Sequence, residues 1–232
     1  MERKTGNVSI VHTRTYDDTY RHKGLRKKLV ESLREKGITD ENVLEAINKV
    51  PRHFFLDTAL DDIAYEDRSF PIDAEQTISH PYTVAYQTQL LDIKPNQKVL
   101  EIGTGSMYQG TILAAMGARV NTIERQKLLY DKTRNYPLIK EYPPTSIRFF
   151  LGDGFEGLPN YAPFDKIIIT CGAPMVPPKL IDQLKVGGVM VIPLAMDEHH
   201  KMIRITKNED GSTTEESFSD FSFVPMLRGI NK

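Results

Sequence analysis

The sequence predicts a doubly wound α/β domain with a mostly parallel sheet, N-terminal helices ahead of it and an antiparallel hairpin behind it. Three observations point there. Short aliphatic runs alternate with helical stretches over residues 98–192. A glycine-rich turn follows the first of those runs, and the alternation stops after Pro193. Strands that alternate with helices pair in parallel and are covered on both faces.

Taken in order, residues 1–23 are polar, lack a periodic apolar pattern, and are expected to form a flexible or loosely docked arm. From Gly24 the spacing turns helical, with Leu25, Leu29, Val30 and Leu33 on one face and Gly37 as the stop. Thr39 or Asp40 caps a second helix that turns Val43, Leu44, Ile47 and Val50 inward and ends at Pro51. Residues 52–76 show little periodicity and read as an irregular segment crossing the body of the fold. Pro81 opens a third helical pattern with Val84, Thr88 and Leu91 on one face. Strands are expected at residues 98–102, 118–123, 147–151, 165–170 and 189–192, with helices at 111–116, 126–135 and 179–184 between them. Residues 202–206 and 218–224, joined across the Asp210-Gly211 turn, read as the hairpin. The expected organisation is therefore an arm at 1–23 and one domain at 24–232, itself divided into a helical segment (24–97) and an α/β core (98–232).

Composition excludes several functions. The 232 residues carry 30 basic and 31 acidic side chains, a balance unsuited to broad capture of nucleic acid or anionic membrane. One cysteine excludes an internal disulfide and a multi-cysteine zinc site. The longest uncharged stretches fall short of the roughly 18 apolar residues of a membrane span. The first seven residues lead into no apolar signal core, so a cytoplasmic protein is expected.

The chemistry-bearing stretch is VLEIGTGSMYQG at residues 99–110, where a strand runs into Gly103-Thr104-Gly105 and a helix follows. Glycines there let the backbone turn sharply and approach a ligand closely. Such a loop alone suits NAD, FAD or S-adenosylmethionine. Glu124 ends the next strand about 20 residues later, where an acid faces the ribose of a cofactor lying across the strand ends. Asp153, between Gly152 and Gly154, follows the third strand near the expected adenine position. The dinucleotide fingerprint needs glycine where Tyr108 stands, and Glu101 precedes the first glycine by two residues. This combination favours S-adenosylmethionine, which has no phosphates to seat on a helix N-terminus.

The chain resembles the protein-L-isoaspartate O-methyltransferase family from about residue 25 to residue 227. The shared motifs include VPRHF at 50–54, AYED at 64–67, QTIS at 76–79, VLEIGTGS at 99–106, GDG at 152–154, APFDKIIIT at 162–170 and FVP at 223–225. The QTIS segment upstream of the core is the specific signature. The resemblance implies a class I (Rossmann-like) methyltransferase sheet and a monomeric cytoplasmic repair enzyme. It implies methyl transfer from S-adenosylmethionine, leaving S-adenosylhomocysteine, to the α-carboxylate of L-isoaspartyl residues in damaged proteins and peptides. The resulting ester then collapses to a succinimide.

It further implies Ser79 as the active-site residue, with Thr77, Ile78 and Val224 against the substrate. The implied cofactor set is Gln76, Thr77, Ile78, Ser79, Glu101, Gly103, Thr104, Gly105, Glu124, Arg125, Asp153 and Gly154, with no metal. Read from the residues alone, Ser79 is better explained as an N-cap for the helix that follows, a preference the resemblance reverses. Met107 stands where the family has a third glycine, and its side chain is expected to crowd the helix entry or the methionine end of the cofactor. The alternatives are a methyltransferase for another carboxylate or small molecule, or an impaired binding protein. Cys171 is expected to be a packed side chain, and His199-His200 a solvated loop.

Overall fold

The computed structural model describes residues 16–136, 146–197 and 199–232; residues 1–15 of the expected arm lie outside this set. Helix α1 (Tyr20–Glu35) begins four residues before the Gly24 expected from periodicity, because Thr19 caps it reciprocally with His22. The last residues of the expected arm are docked: both Asp18 oxygens accept from Arg26 at 2.9 Å, and Tyr16 packs edge-on against Phe54 at 5.2 Å.

Helix α2 (Glu41–Lys49) is capped by Asp40, whose side chain accepts from the Asn42 N–H. A 3-10 turn (Arg52–Phe55), a two-stranded ribbon of β1 (Phe70–Pro71) and β2 (Thr77–Ile78), and α3 (Pro81–Leu91) complete the N-terminal layer.

The main sheet has the order β5-β4-β3-β6-β7-β8-β9. Strands β3 (Lys98–Ile102), β4 (Arg119–Glu124), β5 (Ile147–Leu151), β6 (Phe164–Ile169) and β7 (Leu184–Met196) pair in parallel. Strands β8 (His199–Lys207) and β9 (Thr213–Phe221) add an antiparallel hairpin. Helices α4 (Tyr108–Ala115), α5 (Lys127–Thr133) and α6 (Pro178–Gln183) fill the crossovers.

Alternation along β3 turns Val99 toward the side covered by α3 and α4, and Leu100 and Ile102 toward the side covered by α6. The chain order reverses beside β3, between its neighbours β4 and β6, and that switch point is where an open α/β sheet binds ligands.

Two expectations are corrected in the C-terminal part. Pro193 does not close its strand, since β7 continues to Met196. Its C=O accepts from the Ala173 N–H at 2.8 Å, so its missing N–H faces a region beyond the end of β6 and breaks no ladder bond. Strand β9 lies about five residues earlier than the apolar run at 218–224 suggested. It is an edge strand, mostly exposed, and carries Phe218 and Phe221 against Tyr86 of α3. The expected turn is present, with Gly211 at φ +83°.

His199 and His200 are also not in a loop, because they open β8. The His200 ring packs on Gly172, where an added Cβ would meet Nε2 at 1.9 Å. Among the described residues no helix is long and apolar enough to cross a membrane.

Candidate active site

The carboxyl ends of β3, β4 and β6 open into one cleft. Its first wall is the turn after β3. Gly103 sits at φ +95°, and a Cβ there would meet Thr170 Oγ1 at 2.6 Å, so the tight approach of the β3 and β6 ends requires glycine. Thr170 Oγ1 donates to the Gly103 carbonyl at 2.8 Å, and the Gly103 N–H donates to the Ile123 carbonyl at 2.9 Å. Glu124 ends β4 and binds this turn: its carboxylate accepts from the Gly105 N–H at 2.9 Å and the Gln126 N–H at 2.8 Å. Burial raises the Glu124 carboxyl above its ordinary range, against the lowering effect of those N–H donors.

The second wall is the segment at residues 76–79, which contains β2 and lines the cleft together with Tyr108 and Gln109 at the opening of α4. The third is the return of the chain after β9. The Gly172 N–H donates to the Val224 carbonyl at 2.8 Å and the Met226 N–H to the Gly172 carbonyl at 2.7 Å, which brings Val224 to the cleft.

Most of the residues named from sequence meet here. Gln76, Thr77, Ile78, Ser79, Gly103, Thr104, Gly105, Glu124, Arg125, Gly154 and Val224 all line the cleft. Two do not. Glu101 is fully buried under α4, where a Cβ on Gly110 would meet its Oε2 at 2.7 Å. Burial pushes its carboxyl up to about 8, against the lowering effect of hydrogen bonds from Thr122 and the Gly110 backbone. Asp153 is spent on backbone: its oxygens accept from the Phe155 N–H at 2.9 Å and the Gly229 N–H at 2.8 Å, pinning the C-terminal tail.

The N-cap alternative for Ser79 does not hold. His80 occupies the cap position of α3 without a side-chain cap, and Asp67 accepts from the Tyr82 N–H at 2.8 Å instead. Met107 does not crowd the site. It takes the left-handed conformation, φ +73°, that explains a glycine preference, and its side chain is buried in the apolar cluster of α1 to α4.

Sequence reasoning passed over Tyr108, Gln109, Thr170 and Met226, which also line the cleft. Only Thr170 carried a readable signal, as the residue after a parallel strand. Cys171 reaches the cleft, but burial pushes its thiol up to about 12, so it is a neutral wall group. Away from the cleft, Asp18, His22 and His53 hold potential ligand atoms within 4.8 Å of one another. Arg26 occupies both Asp18 oxygens, and its charge opposes a cation there.

The cleft suits an uncharged nucleoside better than a pyrophosphate. Arg125 is the one Lys or Arg among its lining residues, and Gln109 Oε1 is a buried polar atom with no protein partner among the described residues. Fold and cleft together define a class I S-adenosylmethionine-dependent methyltransferase.

The family model for protein-L-isoaspartate(D-aspartate) O-methyltransferase matches residues 24–231. A protein-L-isoaspartate O-methyltransferase of Christiangramia forsetii is 51% identical over 214 residues, covering 92% of this chain and 99% of that protein. One from Cytophaga hutchinsonii is 52% identical over 211 residues, covering 91% and 94%. Among solved structures, a Plasmodium falciparum protein-L-isoaspartate O-methyltransferase in complex with S-adenosyl-L-homocysteine superposes with a TM-score of 0.74 at 25% identity, covering 87% of this chain and 98% of that one. The chain belongs to the protein-L-isoaspartate(D-aspartate) O-methyltransferase family.

Proposed function

We propose that this enzyme methylates the free α-carboxylate of L-isoaspartyl residues in damaged proteins and peptides, with Ser79 orienting the acceptor. The observation that carries this reading is the segment at 76–79, whose Thr77 and Ser79 line one cleft together with the Gly103 turn and Val224. S-adenosylmethionine, when bound, supplies an already activated methyl group.

The residues need little further chemistry. An α-carboxylate of pKa about 3.5 is ionised at neutral pH and requires no general base. Hydroxyls at Thr77 and Ser79 and the main chain around Val224 align it, and the enclosing walls keep water out. Neutral donors suit the task, because a fixed cation would hold the nucleophile's charge in the ground state. On this reading Glu124 and the Gly103 turn hold the cofactor, with Gln76, Ile78, Arg125 and Gly154 around it. The reading extends to a monomeric, cytoplasmic enzyme.

Incubation with labelled S-adenosylmethionine and an isoaspartyl peptide, beside the matching aspartyl peptide, tests the assignment. Preferential labelling of the isoaspartyl peptide is the expected result. Equal labelling of both, or of neither, overturns it.

A further inference from the structure

Arg52 opens the 3-10 turn after α2 and is fully buried. It is absent from the cleft walls, yet it is bonded to one of the residues that form them. Its Nη2 donates to the Ser79 carbonyl at 2.8 Å and the Arg68 carbonyl at 3.3 Å, and its Nε donates to the Ala64 carbonyl at 3.0 Å. The guanidinium carbon lies 5.0 Å from the centroid of the Tyr108 ring, which itself lines the cleft. A single planar group thus joins three backbone segments and one cleft side chain.

Burying a guanidinium is costly, and three charge-assisted bonds to carbonyls offset that cost only while the fork is held in place. Burial lowers Arg52 to about 10, so it stays charged at neutral pH. The turn at 76–79 has few other anchors. Strand β2 is two residues long, Ala74 and Glu75 before it are at φ +58° and +56°, and the α3 cap is supplied by Asp67.

We propose that Arg52 is a positioning residue for methyl transfer, fixing the Ser79 main chain through its carbonyl so that the hydroxyl meets the acceptor carboxylate in one orientation. This rests on the reading of Ser79 as the acceptor-orienting residue. The guanidinium holds the peptide from behind and stays out of the acceptor's reach, so its charge aligns the nucleophile's partner without binding the nucleophile itself. Lysine, a point charge without the fork, cannot hold three carbonyls in the same arrangement.

The test is a double-mutant cycle on the purified enzyme, using Arg52→Lys and Arg52→Gln, each alone and combined with Ser79→Ala. Steady-state kinetics on an isoaspartyl peptide are read beside S-adenosylhomocysteine affinity and the unfolding midpoint. The expected result is a fall in kcat of about 10-fold for Arg52→Lys and more for Arg52→Gln, with cofactor affinity within about 2-fold. In the Ser79→Ala background the same changes alter kcat by less than about 2-fold, since residues acting through one another are not additive. An equal fall in both backgrounds means Arg52 is structural and sinks the proposal, as does failure of both variants to fold. If Ser79→Ala alone leaves kcat unchanged, the reading of Ser79 falls first, and that outcome is distinct from additivity.

Discussion

The two long walls of the cleft are built in opposite ways. The cofactor-side wall inherits its shape from the sheet: parallel pairing of Ile102 with Ile123 carries β3 and β4 to their ends in step, and Gly103 and Glu124 follow immediately. The acceptor-side wall comes from an irregular segment, tied down from outside by Arg52, by Asp67 at the start of α3, and by the β1–β2 pair. On the proposed reading, damage to the first wall should therefore appear in cofactor affinity, and damage at Ser79 of the second in turnover. A regular element stores its geometry in many ladder bonds, whereas an irregular one depends on a few long-range contacts.

The largest expected effect lies on the sheet side. Gly103→Ala places a Cβ against Thr170 at a positive φ, so strain plus overpacking of about 3 kcal/mol lowers S-adenosylhomocysteine affinity about 100-fold. Calorimetry measures it, and a change under 5-fold would remove the β3 turn from the cofactor site. Next, Ser79→Ala is expected to lower kcat about 10-fold, the loss of one hydrogen bond to a charged group, with affinity for S-adenosylhomocysteine nearly unchanged. A loss of affinity with kcat retained would erase the division between the walls.

A third effect concerns stability and is read by pH instead of by kinetics. The Glu101 carboxyl is raised to about 8 in the folded protein from an ordinary 4.5. The folded state therefore keeps a proton that the unfolded state has lost. The stability linked to that proton is fully present below pH 4.5 and declines as pH rises through 8. Glu101→Gln is neutral at every pH, so the unfolding midpoint of the parent should drop relative to the variant between pH 5 and pH 9. A pH-independent difference would show Glu101 ionised in the fold, and so in contact with the cleft.

The same contrast explains what the sequence could tell. The strands and the Gly103 turn were legible because period-two aliphatic runs and glycine punctuation are local signals. The motif match located the 76–79 turn, but periodicity could not show that Asp67 relieves Ser79 of capping, since that contact spans an irregular segment. Glu101 lies away from the cleft for a related reason. Alternation puts it on one face of β3, and nothing local says that this face is sealed by α4 while Glu124, beyond the end of the β3 ladder, opens to the cleft. Strand β9 was displaced because an exposed edge strand lacks an apolar stripe.

The tail acts as a buckle across loops that are distant in sequence. Asn231 donates its N–H to the Arg125 carbonyl at 2.9 Å, accepts from the Lys127 N–H at 2.9 Å and bonds the Gln126 amide at 2.7 Å, while Gly229 is held by Asp153. Gly229 and Asn231, just beyond Leu227 of the cleft wall, thus fasten the β4 loop to the β5 loop. On the proposed reading the tail is in this sense a clasp on the cofactor cleft, and loosening it would let the nucleoside end rattle while the sheet beneath stayed whole.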